Sequence, residues 1–199
     1  MDYKFTVIEI TKAASRVLSA LYTKYLSCGG MSFEVFTKLY SSLVEPVLYY
    51  GAGIWGQTNW KEVQAIQNKA CRLFLGSKKH SSNIASQGDM GFGSTFSKQI
   101  IEVFRLNFRV KNADADRVTS KIHNISKDFG KSWEKRCIQI ANSVGFADII
   151  IDDNLSTRMK LNSIKYVTRN RCFIDPRRDE FRKQKVIALR VLCKADRTR

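Results

Sequence analysis

The chain has 199 residues, with 34 Lys and Arg against 18 Asp and Glu, a formal net charge of +16 and a pI of about 9.8. A hydrophobic fraction of 44% with only two prolines fits a folded, helix-tolerant chain and excludes a disordered tail. No run approaches the ~18 apolar residues of a membrane span, and "MDYKFTVIEI" lacks the apolar core of a signal peptide. The five cysteines, Cys28, Cys71, Cys137, Cys172 and Cys193, contain no CxxC pair. An intracellular protein is therefore expected, nuclear or cytoplasmic and not secreted, with no membrane contact, no metal and no cofactor. Its charge points to a polyanionic partner, nucleic acid before any other.

Hydrophobic spacing predicts a mainly α fold, a helical bundle with a basic C-terminal part of α or α+β structure. Ile10, Ala14, Val17, Leu21 and Tyr25 recur at three and four residues, as one face of a first helix, which "SCGG" stops. Ser32 can cap a second helix with the face Phe36, Leu39, Tyr40, Leu43 and Val47. Pro46 lacks an N–H and crowds the Ser42 carbonyl, so a kink is expected there. Asn59 and Glu62 resemble a capping box for a third helix, with Val63, Ile66, Ala70, Leu73 and Phe74 inside. Gly76 ends that helix, and the glycine-rich residues 83–95 read as a turn and loop.

Ile100, Ile101, Phe104 and Phe108 form the stripe of a fourth helix, with Lys98, Glu102, Arg105 and Arg109 on its polar side. Trp133, Cys137, Ile140 and Val144 form another stripe. "NADAD" and "DFGKS" read as connections. "ADIII", "LSTRMKLNSIKYVTRNRCFI" and "KQKVIALRVL" fit helix or strand. A break between units is expected near 113–117 or near 146–156.

Catalytic patterns are weak. His80 and His123, the only two histidines, sit in no triad-like arrangement. Gly51-x-Gly53 follows a helix, lacks a third spaced glycine and lacks GK[ST], so it reads as a helix stop and turn. Adjacent aspartates in "IIIDDN" could hold Mg²⁺, but the following "NLSTRMKLN" is no apolar return strand, and a solvated turn or cap at Asp152 and Asp153 is the expectation. Trp55 and Trp60 are expected to pack between helices.

The basic residues carry more. Residues 155–199 hold 14 basic and 4 acidic side chains, a net +10. They include Arg158, Lys160, Lys165, Arg169, Arg171, Arg177, Arg178, Arg182, Lys183 and Lys185, with Tyr166 and Phe173 interleaved. Lys and Arg neutralise phosphates, and aromatic rings can stack on unpaired bases.

The order "SRVLSALYTKY", "GGMSFEVFTKLYSSLVEPVLYYGAGIWG", "VQAIQNKACRLFLG", "NIASQGDMGF" resembles the region after the palm of non-LTR (long interspersed) retrotransposon reverse transcriptases. There a double glycine precedes a helix ending Leu-Val-x-Pro-Val-Leu-x-Tyr-Gly-x-x-x-Trp-Gly. Its matches here are Leu43, Val44, Pro46, Val47, Leu48, Tyr50, Gly51, Trp55 and Gly56. The family's Gln-Asn-(Lys/Arg)-Ala-x-Arg is matched by Gln67, Asn68, Lys69, Ala70 and Arg72. Its Gly-Asp-Met-Gly-Trp is matched by Gly88, Asp89, Met90 and Gly91, with Phe92 in place of Trp. The resemblance covers about residues 12–112.

It implies a helical thumb, residues 1–112, and a basic connecting region, 113–199, of an RNA-directed DNA polymerase. The palm's catalytic Asp pair and the fingers would lie before residue 1, so the chain is expected to be inactive alone. The implied ligand is an RNA–DNA hybrid or DNA duplex, gripped through Lys69, Arg72, Arg105 and Arg109 and through Arg158, Lys160, Lys165, Arg169 and Arg171. The palm and fingers are the implied protein partners. The rival readings are a decayed mobile-element fragment without activity, and a basic module that binds acidic protein.

Overall fold

The computed structural model describes residues 2–78, 80–126, 132–152 and 154–172, and these are mainly helical. Helix α1, Lys4–Ser27, buries Val7, Thr11, Ala14, Leu18 and Leu21, alternately four and three residues apart. This is the stripe that a 3.6-residue period turns to one side. Ile10, Val17 and Tyr25, expected inside, pack at its edge.

Helix α2, Phe33–Leu39, starts as expected, with the Ser32 hydroxyl accepting from the Val35 N–H at 3.4 Å. It runs into a π-helical segment, Tyr40–Val44, and then α3, Glu45–Leu48. The Glu45 N–H donates to the Tyr40 carbonyl, five residues back. Pro46 can give no hydrogen bond to Ser42, and the widened turn relieves the crowding its ring causes. The inward face is therefore Phe36, Tyr40, Val44 and Leu48, each four residues on from the last. Leu43, expected inside, is exposed. A regular helix drifts out of register at that spacing, and the wider π turn corrects it.

Gly51 takes a left-handed φ of 65° and reverses the chain into α4, Ala52–Trp55. The Trp55 indole N–H donates to the Tyr50 carbonyl at 2.9 Å, and that of Trp60 to the Trp55 carbonyl at 3.0 Å. Both tryptophans join the first core, as expected. Helix α5, Lys61–Leu75, begins at Trp60 without a side-chain cap. The expected Asn59 cap is absent, because the chain enters one residue later. Its buried face contains Val63, Ile66 and Ala70, and also Gln67, Asn68 and Cys71.

Residues 83–95 are not all loop. Ser82 caps α6, Asn83–Asp89, accepting from the Ala85 N–H, and buried Met90 anchors its end. The Gln67 amide donates to the Gly93 carbonyl at 2.8 Å, and the Gln87 amide to Asn68 Oδ1 at 2.5 Å. Phe92 stacks on Tyr40 with ring centroids 5.1 Å apart.

Helix α7, Thr95–Lys111, carries the expected stripe inside. "NADAD" does link helices, but α8, Val118–Ser126, follows it where no helix was expected. Helices α9, Trp133–Val144, α10, Ala147–Ile151, and α11, Thr157–Cys172, complete the described fold. "ADIII" and the segment after it are thus helical, and no strand occurs among the described residues. "DFGKS" lies largely, and "KQKVIALRVL" wholly, outside the described residues.

Two hydrophobic cores result. The first joins α1–α5 and Met90. The second joins Ile100, Val103, Phe104 and Phe108 of α7 with Cys137 and Ala141 of α9, Phe146, and Ile164 and Val167 of α11. Helix α7 also lies directly on α4, where glycines let the backbones approach. A Cβ on Gly53 would stand 2.9 Å from Leu106 Cβ and Cδ2, and 3.3 Å from the Glu102 carbonyl.

Because Leu106 Cβ is fixed to the α7 backbone, Gly53→Ala must push the helices apart. It should destabilise by about 1–3 kcal/mol. Gly88→Ala has nothing within 4 Å of the added carbon, and should be neutral or stabilise by about 0.5–1 kcal/mol. Urea denaturation followed by circular dichroism measures both, and equal behaviour of the two variants contradicts the packing argument.

Burial pushes the Cys71 thiol from 9.0 to about 11 and the Cys137 thiol to about 12. Below pH 9 folded and unfolded chains both keep these protons. Above it the unfolded chain loses them first, binds fewer protons and gains on the fold until the folded values are reached. Stability should therefore fall between about pH 9 and 12, and fall less steeply in Cys71→Ala or Cys137→Ala. Denaturation midpoints at pH 8 and pH 10.5 test this.

Candidate nucleic-acid interface

Arg105 and Arg109 lie one turn apart on the exposed arc of α7. They line a groove of about 690 Å³ together with Asn112, Asp114, Arg117 and Thr157, with Leu106 and Leu161 among its apolar walls. A second hollow of about 230 Å³ lies against the Gly51–Ile54 turn and shares Arg105, Leu106 and Arg109. The two arginines thus form a ridge that lines both hollows.

The groove is fixed by helix packing. Asn112 Nδ2 donates to Thr157 Oγ1 at 3.0 Å, tying the end of α7 to the start of α11. The Ser156 hydroxyl accepts from the Met159 N–H at 3.3 Å. The N-terminal end of α11, the positive end of its dipole, therefore faces the groove beside Thr157. Arg105 NH1 pairs with Glu102, and Arg117 Nε with Asp114 at 3.5 Å, both near solvent where such pairs are weak. Arg109 has no acidic partner among the described residues. The chemistry on offer is the holding of anions.

Several expected contacts have other engagements. Lys69 Nζ donates to Ser15 Oγ at 3.3 Å and ties α5 to α1. Arg72 NH1 donates to Asn83 Oδ1 at 2.5 Å and ties α5 to the start of α6. Lys160 Nζ donates to the Ile150 carbonyl at 2.9 Å, where a cation meets the C-terminal end of α10. Lys98, from the expected polar row of α7, pairs with Glu45 of α3. Lys111 Nζ pairs with Glu134 at 3.1 Å, and His123 Nε2 lies 3.5 Å from the same carboxylate. That cluster joins α7, α8 and α9.

Arg158 and Arg169 are exposed on α11, Lys165 is half-buried there, and Tyr166 stands between them, 45% exposed. Arg171 belongs to α11, but its side chain lies outside the described residues, as do Phe173, Arg177, Arg178, Arg182, Lys183 and Lys185. Sequence reading missed Arg117, Asn112 and Thr157. Arg117 follows two aspartates, which hid it in a near-neutral segment.

Asp152 ends α10 in an exposed turn, its Oδ1 accepting from the Asn154 N–H at 3.0 Å, and Asp153 lies outside the described residues. Among the described residues no group of three or more His, Cys, Asp and Glu could hold a metal ion. No described helix is long and apolar enough to cross a membrane. No protein-family model, curated protein or solved structure matches the chain.

Proposed function

We propose that this chain is a nucleic-acid-gripping module, the thumb and connecting part of a non-LTR retrotransposon reverse transcriptase, which holds a template–primer duplex and carries out no chemistry itself. The Arg105–Arg109 ridge carries the reading. It sets two guanidiniums on a rigid helix, beside a groove with a helix N-terminus at its wall. Such an array neutralises phosphates and releases their counterions, and it reads no bases. The motif succession from "SRVLSALYTKY" to "NIASQGDMGF" supports the ancestry. Polymerisation is left to a palm. A wholly separate apolar hollow of about 470 Å³, between Ile10 and Ala13 of α1 and Pro46, Val47 and Tyr50, suits contact with such a domain.

The reading is tested with an RNA–DNA duplex and fluorescence anisotropy across 50 to 200 mM salt. Wild-type affinity should fall steeply over that range. The double variant Arg105→Gln, Arg109→Gln should bind more weakly and lower the log–log salt slope by about 1.8, for two lost phosphate contacts. An unchanged slope removes the ridge from the interface. A wild-type affinity that ignores salt counts against nucleic acid altogether, and displacement by an acidic polypeptide at equal charge favours a protein ligand.

A further inference from the structure

We infer that the exposed face of α11 is a binding surface for single-stranded nucleic acid, on which Tyr166 stacks an unpaired base. This deepens the reading above, since it takes nucleic acid as the ligand, but it concerns a different surface and a different form of the ligand.

At 100° per residue Arg158, Asn162, Lys165, Tyr166 and Arg169 fall within an arc of about 100°. Leu161, Ile164, Val167 and Thr168 occupy the opposite side, with Ile164 and Val167 in the second core. The Ser97 hydroxyl donates to the Thr168 carbonyl at 3.2 Å and fixes the rotation of α11 against α7. The cationic arc is therefore held outward by packing. From Arg158 to Arg169 it runs about 16 Å along the axis, room for a few nucleotides.

Two properties select the ligand. The first is charge. Residues 157–172 contain Arg158, Lys160, Lys165, Arg169 and Arg171 and no acidic residue. Arg158, Lys165 and Arg169 have no acidic partner among the described residues. The second is the placement of Tyr166. It stands 45% exposed between cations, with no ring partner among the described aromatic residues. A lone ring among cations gives a docking protein little apolar surface. A duplex offers its phosphates but keeps its bases stacked inside, so it makes no use of the ring. An unpaired strand offers both, and a basic track with an aromatic platform is what it takes.

The test uses the full chain, a short oligo(U) RNA and a blunt RNA–DNA duplex of equal length, by anisotropy at fixed salt. Tyr166→Ala should weaken oligo(U) about 5- to 150-fold, the range of one lost stacking contact, and leave the duplex within about 2-fold. Tyr166→Phe should retain wild-type affinity for both. Arg169→Gln should lower the oligo(U) salt slope by about 0.7, and Tyr166→Ala should leave that slope unchanged. Thermal melts of all variants should match wild type, because these side chains are exposed. The inference is overturned if Tyr166→Ala leaves oligo(U) affinity intact or weakens both ligands equally. It is also overturned if an acidic peptide displaces oligo(U) and needs Tyr166 to do so. Duplex binding without oligo(U) binding sinks this inference and spares the ridge. Loss of duplex binding in Arg105→Gln, Arg109→Gln with oligo(U) binding intact separates the two surfaces.

Discussion

The described architecture depends on the close contact of α4 with α7. Gly53 meets Leu106 and the Glu102 carbonyl at distances that leave no room for a methyl group. That contact sets α7 against the first core, while Ile100, Val103, Phe104 and Phe108 set it into the second. One helix is thus held from two sides, and Arg105 and Arg109 occupy the arc that remains. Their spacing is determined by packing and not by a loop, so little order has to be imposed when an anion arrives. The Gly-x-Gly of this stretch, which looks like a phosphate loop in outline, serves a backbone approach. One glycine reverses the chain and the other admits α7.

The same stretch shows what a sequence can and cannot disclose. The second helix, its Ser32 cap and the disturbance that Pro46 causes follow from local chemistry. The register past Tyr40 does not, because a 3.6-residue period assumes a regular helix and Pro46 forces a wider turn just before itself. Leu43 and Val47 therefore yield their inward places to Val44 and Leu48. Helix α6 was masked by Gly88 and by the glycines that follow it, although Ser82 supplies the cap. Helix α8 was hidden for another reason. Its Val118, Ile122 and Ile125 have helical spacing but are exposed, while Ser120 and His123 are buried. Buried Gln67, Gln99 and Asn107 were also invisible, because their partners and their positions depend on tertiary packing.

Charge was legible as a total and less so as a site. A count of lysines and arginines treats each as free to meet a phosphate. In the fold Lys69, Arg72, Lys98, Lys111 and Lys160 are engaged with other helices, by hydrogen bonds or ion pairs. Such links are modest individually, but they take the cation's head away from the surface on offer. Of the cations expected to grip nucleic acid, Arg105, Arg109, Arg158, Lys165 and Arg169 have no tie to another helix among the described residues, and they lie on α7 and α11. These two helices pack against each other.

Their packing gives the two proposed surfaces a common geometry. Thr157 and Leu161 of α11 line the groove beside the arginine ridge, and Arg158, next to Thr157, opens the outward arc. The groove and the arc therefore meet at the first turn of α11. A duplex held at the ridge and a single strand lying along α11 would join there, which is where a paired region gives way to an unpaired one. The ridge, as proposed, would contact phosphates, which either kind of strand can supply. Tyr166, two turns further on, has a use only for a base without a partner. On this reading the helix rewards a junction more than a continuous duplex, and it does so with charge at one end and a ring at the other.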